Sequence, residues 1–385
     1  MNFPASGLRC RSTVFQKSVM AVGLVLGFLS IAGPPLKKEP YSGRGSLTLS
    51  NNKVRLVVDL EGGSIGEFRF VDTDVNPLNW AAPAPGETGV RGFGHFLCLD
   101  RWGPPSDAEG ARGMPYHGEA AHVKWTQVRS NKFAALDTGV MTATLPLAGL
   151  SVRRTVHLSP SQSVVLVRED ITNDRPLGRV YNIVQHPTLA PPFLDETTLV
   201  DCDGRRGFAQ GNPLPNPAEP SFVWPNAVTA SGETVDMRRL AAHPEPNVVS
   251  YQIEDRHGWI TAVNPGMGIL IGYFWRTAEY PWVSLWRDVK DGHPAARGLE
   301  FGSTGLHQPF PILTQVGRIW DRPVMEYLDA GEARTKSFLM FLVKVPPEYR
   351  GVREVIYEGS QLRLREHEGP DPRELTVALP ADWSL

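Results

Sequence analysis

Residues 140–172 read VMTATLPLAGLSVRRTVHLSPSQSVVLVREDIT. Three strand-like runs, Val140–Leu147, Leu150–Leu158 and Ser163–Thr172, are separated by turn residues at Gly149 and Pro160. Within the middle run, Leu150, Val152, Val156 and Leu158 fall on one face, while Ser151, Arg153, Thr155 and His157 fall on the other. This period of two is that of half-buried antiparallel strands. Arg154 breaks it, as a charge on the apolar face.

The same texture runs outward in both directions. Upstream, Asn51-Asn52 separates two alternating segments within Ser46–Leu60, which predicts a hairpin, and Glu67–Val71 follows a Gly62-Gly63 turn. Downstream, strands are expected at Val248–Ile253, Trp259–Val263, Ile269–Trp275, Trp282–Trp286 and Thr335–Val343. A single helix is expected, at Pro347–Glu358, with proline near its start and Gly359 after its end. Thirty-seven glycines and 34 prolines in 385 residues fit many short strands and turns. So many strands without alternating helices predict an all-β protein, a large antiparallel β-sandwich.

Composition narrows the function. A formal net charge of −2 offers no attraction for nucleic acid or an anionic membrane surface. Gly62-Gly63-Ser64-Ile65-Gly66 matches a serine-hydrolase pattern, but strand alternation follows it and a helix does not, so Ser64 is expected in a turn. His117, Glu119 and His122 lack metal-ligand spacing on either a strand or a helix, and no cofactor-binding fingerprint is present; neither metal nor cofactor is expected. Ten tryptophans suit either a β core or stacking on sugar rings.

The first 33 residues carry Arg9, Arg11 and Lys17, an apolar run from Val19 to Ala32, and the small residues Ser30-Ile31-Ala32. They predict a cleaved signal peptide and export to the periplasm or beyond, with an uncleaved anchor as the other reading. Cleavage would leave Cys98 and Cys202, as one disulfide or two thiols. The proline-rich stretch Gly211–Pro225 reads as a long loop, and residues 346–385 as an extension packed on the domain or trailing it.

Three segments put ionisable residues beside glycine or proline at strand ends. They are Met114–Ala120 with Trp125, Tyr181–Pro187, and Arg297–Gly305. In this order, His117-Gly118 before Trp125, His186 at a strand end and Glu300 in Gly298-Leu299-Glu300 resemble the galactose mutarotase-like, or aldose 1-epimerase, superfamily. Asp329–Ala333, leading into a last core strand, is similar to that family's closing turn. The resemblance covers roughly residues 45 to 345. It implies a sugar ligand and a cofactor-free epimerase, with Glu300 as base, His186 as acid and His117 positioning the sugar. A carboxylate nearby would keep the acid protonated. The resemblance also implies an arginine near the sugar, for which Arg91 and Arg101 both qualify. Trp286, His307 and Gln308 flank Glu300 as further candidate contacts. Gln185-His186-Pro187 departs from the family's usual Asn-His-aromatic pattern. A non-catalytic carbohydrate-binding module using the same cleft is the alternative reading.

Overall fold

The computed structural model describes residues 43–82, 92–128, 137–210, 222–241 and 245–383. The leader-like segment 1–33, most of the proline-rich stretch and Arg91 lie outside the described residues. Two antiparallel sheets, of eleven and eight strands, account for most of the rest. No helix among the described residues is long and apolar enough to cross a membrane.

The large sheet places strand Arg179–Leu189 at its centre, between His95–Asp100 and His293–Gly302; Trp282–Lys290 and Val248–Ile253 follow outward. The second sheet contains the opening meander, with strands Thr138–Leu145, Leu150–Leu158 and Val164–Asn173 in adjacent register. Its other strands include His257–Asn264, Ile269–Arg276 and Ala333–Lys344. Alternation sorts the side chains of the large sheet. Leu97, Leu99, Ile183, Leu299 and Phe301 enter the shared core with Val152, Val156, Ile171, Ile271 and Met340 of the second sheet. Their alternate neighbours, Phe96, Cys98, Val184, His186 and Glu300, belong to the outer face.

The Arg154 anomaly resolves inside that core. Arg154 lies across from Glu169 in the strand register, and its Nη2 is 2.7 Å from the Glu169 carboxylate. Its guanidinium stacks 4.6 Å over the Trp125 ring and donates to the carbonyl of Gly63. Glu169 also accepts from Gln185 Nε2 at 2.6 Å, and Gln185 Oε1 meets His95 Nε2 at 3.0 Å. A line of polar groups thus crosses between the sheets and ends one residue from His186. Gln185, the family departure, is part of that line.

One expectation fails. Pro347–Glu358 is not a helix: Val352–Glu358 is a strand, paired with Gln361–Glu366, which in turn pairs with Glu374–Ala378. Val352, Val355, Ile356 and Tyr357 are strand-favouring residues. Gly359, at φ +61°, is a hairpin turn residue and not a helix cap. The small sheet buries Val352, Val355, Leu362, Leu364 and Val377 against Trp259, Phe274, Leu339 and Phe341 on the outer face of the second sheet. The helices among the described residues, Asp107–Gly110 and Phe310–Val316, are short and lie in loops. Ser64 sits in the turn between strands Val54–Asp59 and Ile65–Phe70, as expected. Cys98 and Cys202 are both buried free thiols, Cys98 in the outer-face cluster of the large sheet and Cys202 in the shared core, so the disulfide alternative is corrected.

Candidate active site

The register that pairs Gly298 with Thr188 and Phe301 with Gln185 sets Glu300 across from His186 on the outer face of the large sheet. Their side chains meet, with His186 Nε2 3.3 Å from Glu300 Oε1. Gly298 makes this possible, because a Cβ there would stand 2.8 Å from Glu300 Oε1. The second carboxylate oxygen, Oε2, accepts the indole N–H of Trp102 at 2.6 Å.

His117 arrives from the loop after strand His95–Asp100. The chain turns sharply there, with His117 at φ +66° and Gly118 at φ +78°; a Cβ on Gly118 would collide with the Leu99 carbonyl at 2.2 Å. Two hydrogen bonds to Gly103 hold His117: its backbone N–H donates to the Gly103 carbonyl at 3.0 Å, and its Nδ1 accepts the Gly103 N–H at 3.1 Å. An acceptor at Nδ1 leaves the proton on Nε2, so the free ring nitrogen is a donor. The His117 ring centroid is 5.4 Å from that of His186 and 5.6 Å from that of His307.

These groups line a cavity of about 610 Å³. Its aromatic wall stacks Phe96 on His186 at 4.2 Å and sets Trp80 edge-on to Trp286 at 5.6 Å. Tyr116 and His307 close another side, the tyrosine hydroxyl 3.1 Å from His307 Nε2. Of the described residues lining the cavity, Glu300 alone carries a carboxyl and none carries a guanidinium or ammonium.

Burial governs the electrostatics. Desolvation pushes the Glu300 carboxyl up to about 8, opposed by the Trp102 hydrogen bond, and pushes His186 down to about 3. Both shifts favour a carboxylic acid against a neutral imidazole over an ion pair. This reverses the expectation that a carboxylate would keep His186 protonated: loss of solvent outweighs the neighbour. The tautomer agrees. Thr188 Oγ1 is 3.0 Å from His186 Nδ1 and 3.4 Å from the His186 carbonyl; with the hydroxyl donating to that carbonyl, Nδ1–H donates to Thr188 and Nε2 is left as an acceptor facing Glu300. Burial also lowers His117, well below the ordinary imidazole value, and His307, to about 4.

The cavity gathers Glu300, His186, His117, Trp286 and His307, but neither Arg101 nor Gln308. Arg101 is buried against Asp100 at 2.6 Å and Glu109 at 2.8 Å, a structural ion pair that draws Glu109 down to about 2. Gln308 does not line the cavity. The glutamine that does is Gln210, whose Oε1 accepts the backbone N–H of His307 at 3.0 Å. Glu119 is also structural, accepting from the backbone N–H of Ala148 at 2.6 Å. Phe96, Trp80, Trp102 and Asn247 were not singled out from sequence. Phe96 occupies an outward position on an alternating strand, a pattern that marks it, and Trp102 adjoins Arg101.

Solved structures share this architecture. A galactose mutarotase related enzyme from Lactobacillus acidophilus superposes with a TM-score of 0.57 at 13% identity, over 78% of this chain and 98% of that one. A galactose mutarotase-like protein from Clostridium acetobutylicum gives 0.58 at 12% identity, over 79% and 97%. The chain has the galactose mutarotase-like fold. Another protein of this fold, from Lactobacillus casei, matches with a TM-score of 0.55 at 14% identity, over 78% of this chain and 100% of its own. No family model matches the sequence, and no curated protein matches it. At such identities the galactose mutarotase-like likeness is one of fold.

Proposed function

We propose that the protein is an aldose 1-epimerase-like enzyme that interconverts sugar anomers by opening and reclosing the ring. The observation that carries this reading is the 3.3 Å contact between Glu300 and His186 at the floor of an aromatic cavity. Mutarotation moves two protons and nothing else. One leaves the anomeric hydroxyl as the C1–O5 bond breaks, and one arrives on the ring oxygen. A carboxylic acid and a neutral imidazole in contact hold one proton and one vacancy, which matches that demand.

In the resting state, His186 Nε2 takes the anomeric proton while Glu300 gives its proton to the ring oxygen. These roles are the exchange of those implied by the family resemblance, and burial of both groups favours them. The opened sugar then faces a carboxylate and an imidazolium, an ion pair stabilised by their proximity. After rotation about C1–C2, the carboxylate takes the proton back from the O5 hydroxyl and the imidazolium returns its own to the carbonyl oxygen. The His117 Nε2–H is a hydrogen-bond donor for a sugar oxygen, and Trp80, Phe96 and Trp286 supply apolar faces for the ring. The chemistry requires no cofactor.

The test is the rate of anomer interconversion for a panel of freshly dissolved aldoses, compared with the spontaneous rate. Sugar binding without acceleration would replace this reading with a non-catalytic carbohydrate-binding module, which needs the aromatic wall but not the proton pair.

A further inference from the structure

A second cavity of about 650 Å³ opens where the edge of the sandwich meets the small C-terminal sheet. It shares no lining residue with the first. One wall comes from strands Leu199–Cys202, Gly204–Ala209 and His257–Asn264, the other from Val352–Glu358. The two walls are pinned together through Asp201, whose carboxylate accepts from Arg238 Nε at 2.6 Å, His367 Nε2 at 2.9 Å and the backbone N–H of Val352 at 2.9 Å. The crevice is therefore part of the fold's framework.

Its chemistry selects a ligand class. Four carboxylates and four guanidiniums line it, so neither sign of charge dominates its wall. It is rich in groups that accept and donate hydrogen bonds. Asp203 stands out: it is 7% exposed, its Oδ1 lies 3.3 Å from Arg205 Nη2, and its carboxyl neighbours that of Asp255. Desolvation holds the Asp203 carboxyl at about 7, so it can either accept or donate near neutral pH. Aromatic rings complete the wall. Trp224 and Tyr357 are half-buried and line the crevice, and His257 lies between Phe274, stacked at 5.1 Å, and Tyr357, edge-on at 5.6 Å. A neutral ligand carrying many hydroxyls and apolar ring faces satisfies both sets of groups.

We propose that this crevice is a second saccharide-binding site, in which Asp203 and the neighbouring guanidiniums bind sugar hydroxyls while Trp224 and Tyr357 pack against sugar faces. It gives the C-terminal sheet a role apart from the ring-opening cavity, and it stands whether or not that cavity is catalytic.

The experiment titrates the full chain with maltotriose, cellotriose, xylotriose and chitotriose, read by calorimetry and tryptophan fluorescence. The same titrations are made on Asp203→Asn, Tyr357→Ala and Glu300→Gln. Asp203→Asn keeps the side-chain size, and Tyr357→Ala provides a second perturbation on a different wall. At least one trisaccharide should bind, and Asp203→Asn or Tyr357→Ala should weaken it at least about tenfold, the scale of one hydrogen bond to a charged group. Glu300→Gln should leave that binding unchanged. No binding by any of the four up to about 10 mM would overturn the proposal. Binding that both crevice variants retain at full strength would also overturn it, by placing the sugar outside the crevice.

Discussion

Trp102 donates its indole N–H to Glu300 Oε2 across 2.6 Å, from a position 198 residues earlier in the chain. The bond favours the ionised carboxylate and opposes the desolvation that raises Glu300. Trp102→Phe keeps most of the ring packing and removes the donor. A hydrogen bond to a charged group contributes about 1.5–3 kcal/mol, so the alkaline limb of the pH–rate profile should move upward by about one unit or more. A merely structural tryptophan would change the amplitude of the profile and leave the limb in place.

The proton pair also sets the shape of that profile. Activity requires one proton between Glu300 and His186, so it should fall above about pH 8 as Glu300 ionises. The acid limb lies far lower, because His186 is held down to about 3. Stability follows the same sign. Glu300 has a folded-state value raised above its unfolded one, so its contribution is fully present below about 4.5 and is lost as pH rises through about 8. Glu300→Gln does not titrate. Denaturation at pH 5 and pH 8 should therefore show wild type losing stability relative to Glu300→Gln at the higher pH.

Arg154 and Glu169 should behave as a buried pair. Arg154→Met leaves Glu169 unpaired in the core and should cost about 3–5 kcal/mol in urea denaturation. Lys344 and Asp72, 3.0 Å apart but exposed, provide the contrast: Lys344→Ala should cost less than about 1 kcal/mol.

Cys98 and Cys202 are buried thiols, and burial raises both well above the ordinary thiol value. Neither should react with an aromatic disulfide reagent until the chain unfolds, and reductant should not shift the melting temperature. A fall in melting temperature on reduction would show that a bridge does form.

Legibility followed locality. Strands Leu150–Leu158 and Val248–Ile253 have the limits that alternation predicts, because a one-residue slip would turn their apolar faces to solvent. Val352–Glu358 was misread because its proline and glycine punctuation suits a helix, whereas the partner strand and the apolar surface beneath it decide the outcome. At the site, His117, His186 and Glu300 were found through a family resemblance, and their convergence depends on cross-strand register. Arg101 was chosen for its charge, but its partners are Asp100 beside it and Glu109 eight residues on. Gln308 is a candidate because it flanks Glu300 in sequence, but the glutamine that reaches the cavity and holds His307 is Gln210, 97 positions from it. No local pattern shows that contact.

The most direct measurement follows the anomers of freshly dissolved aldoses by polarimetry, for wild type, Glu300→Gln and His186→Asn. General acid or base catalysis contributes about a hundredfold to ten-thousandfold, or roughly 3–5 kcal/mol of barrier. Wild type should exceed the spontaneous rate on at least one sugar, and both variants should fall to near that rate while still binding the sugar. Wild type that binds sugars yet never exceeds the spontaneous rate, or variants that keep full acceleration, would contradict the assignment of ring opening to Glu300 and His186.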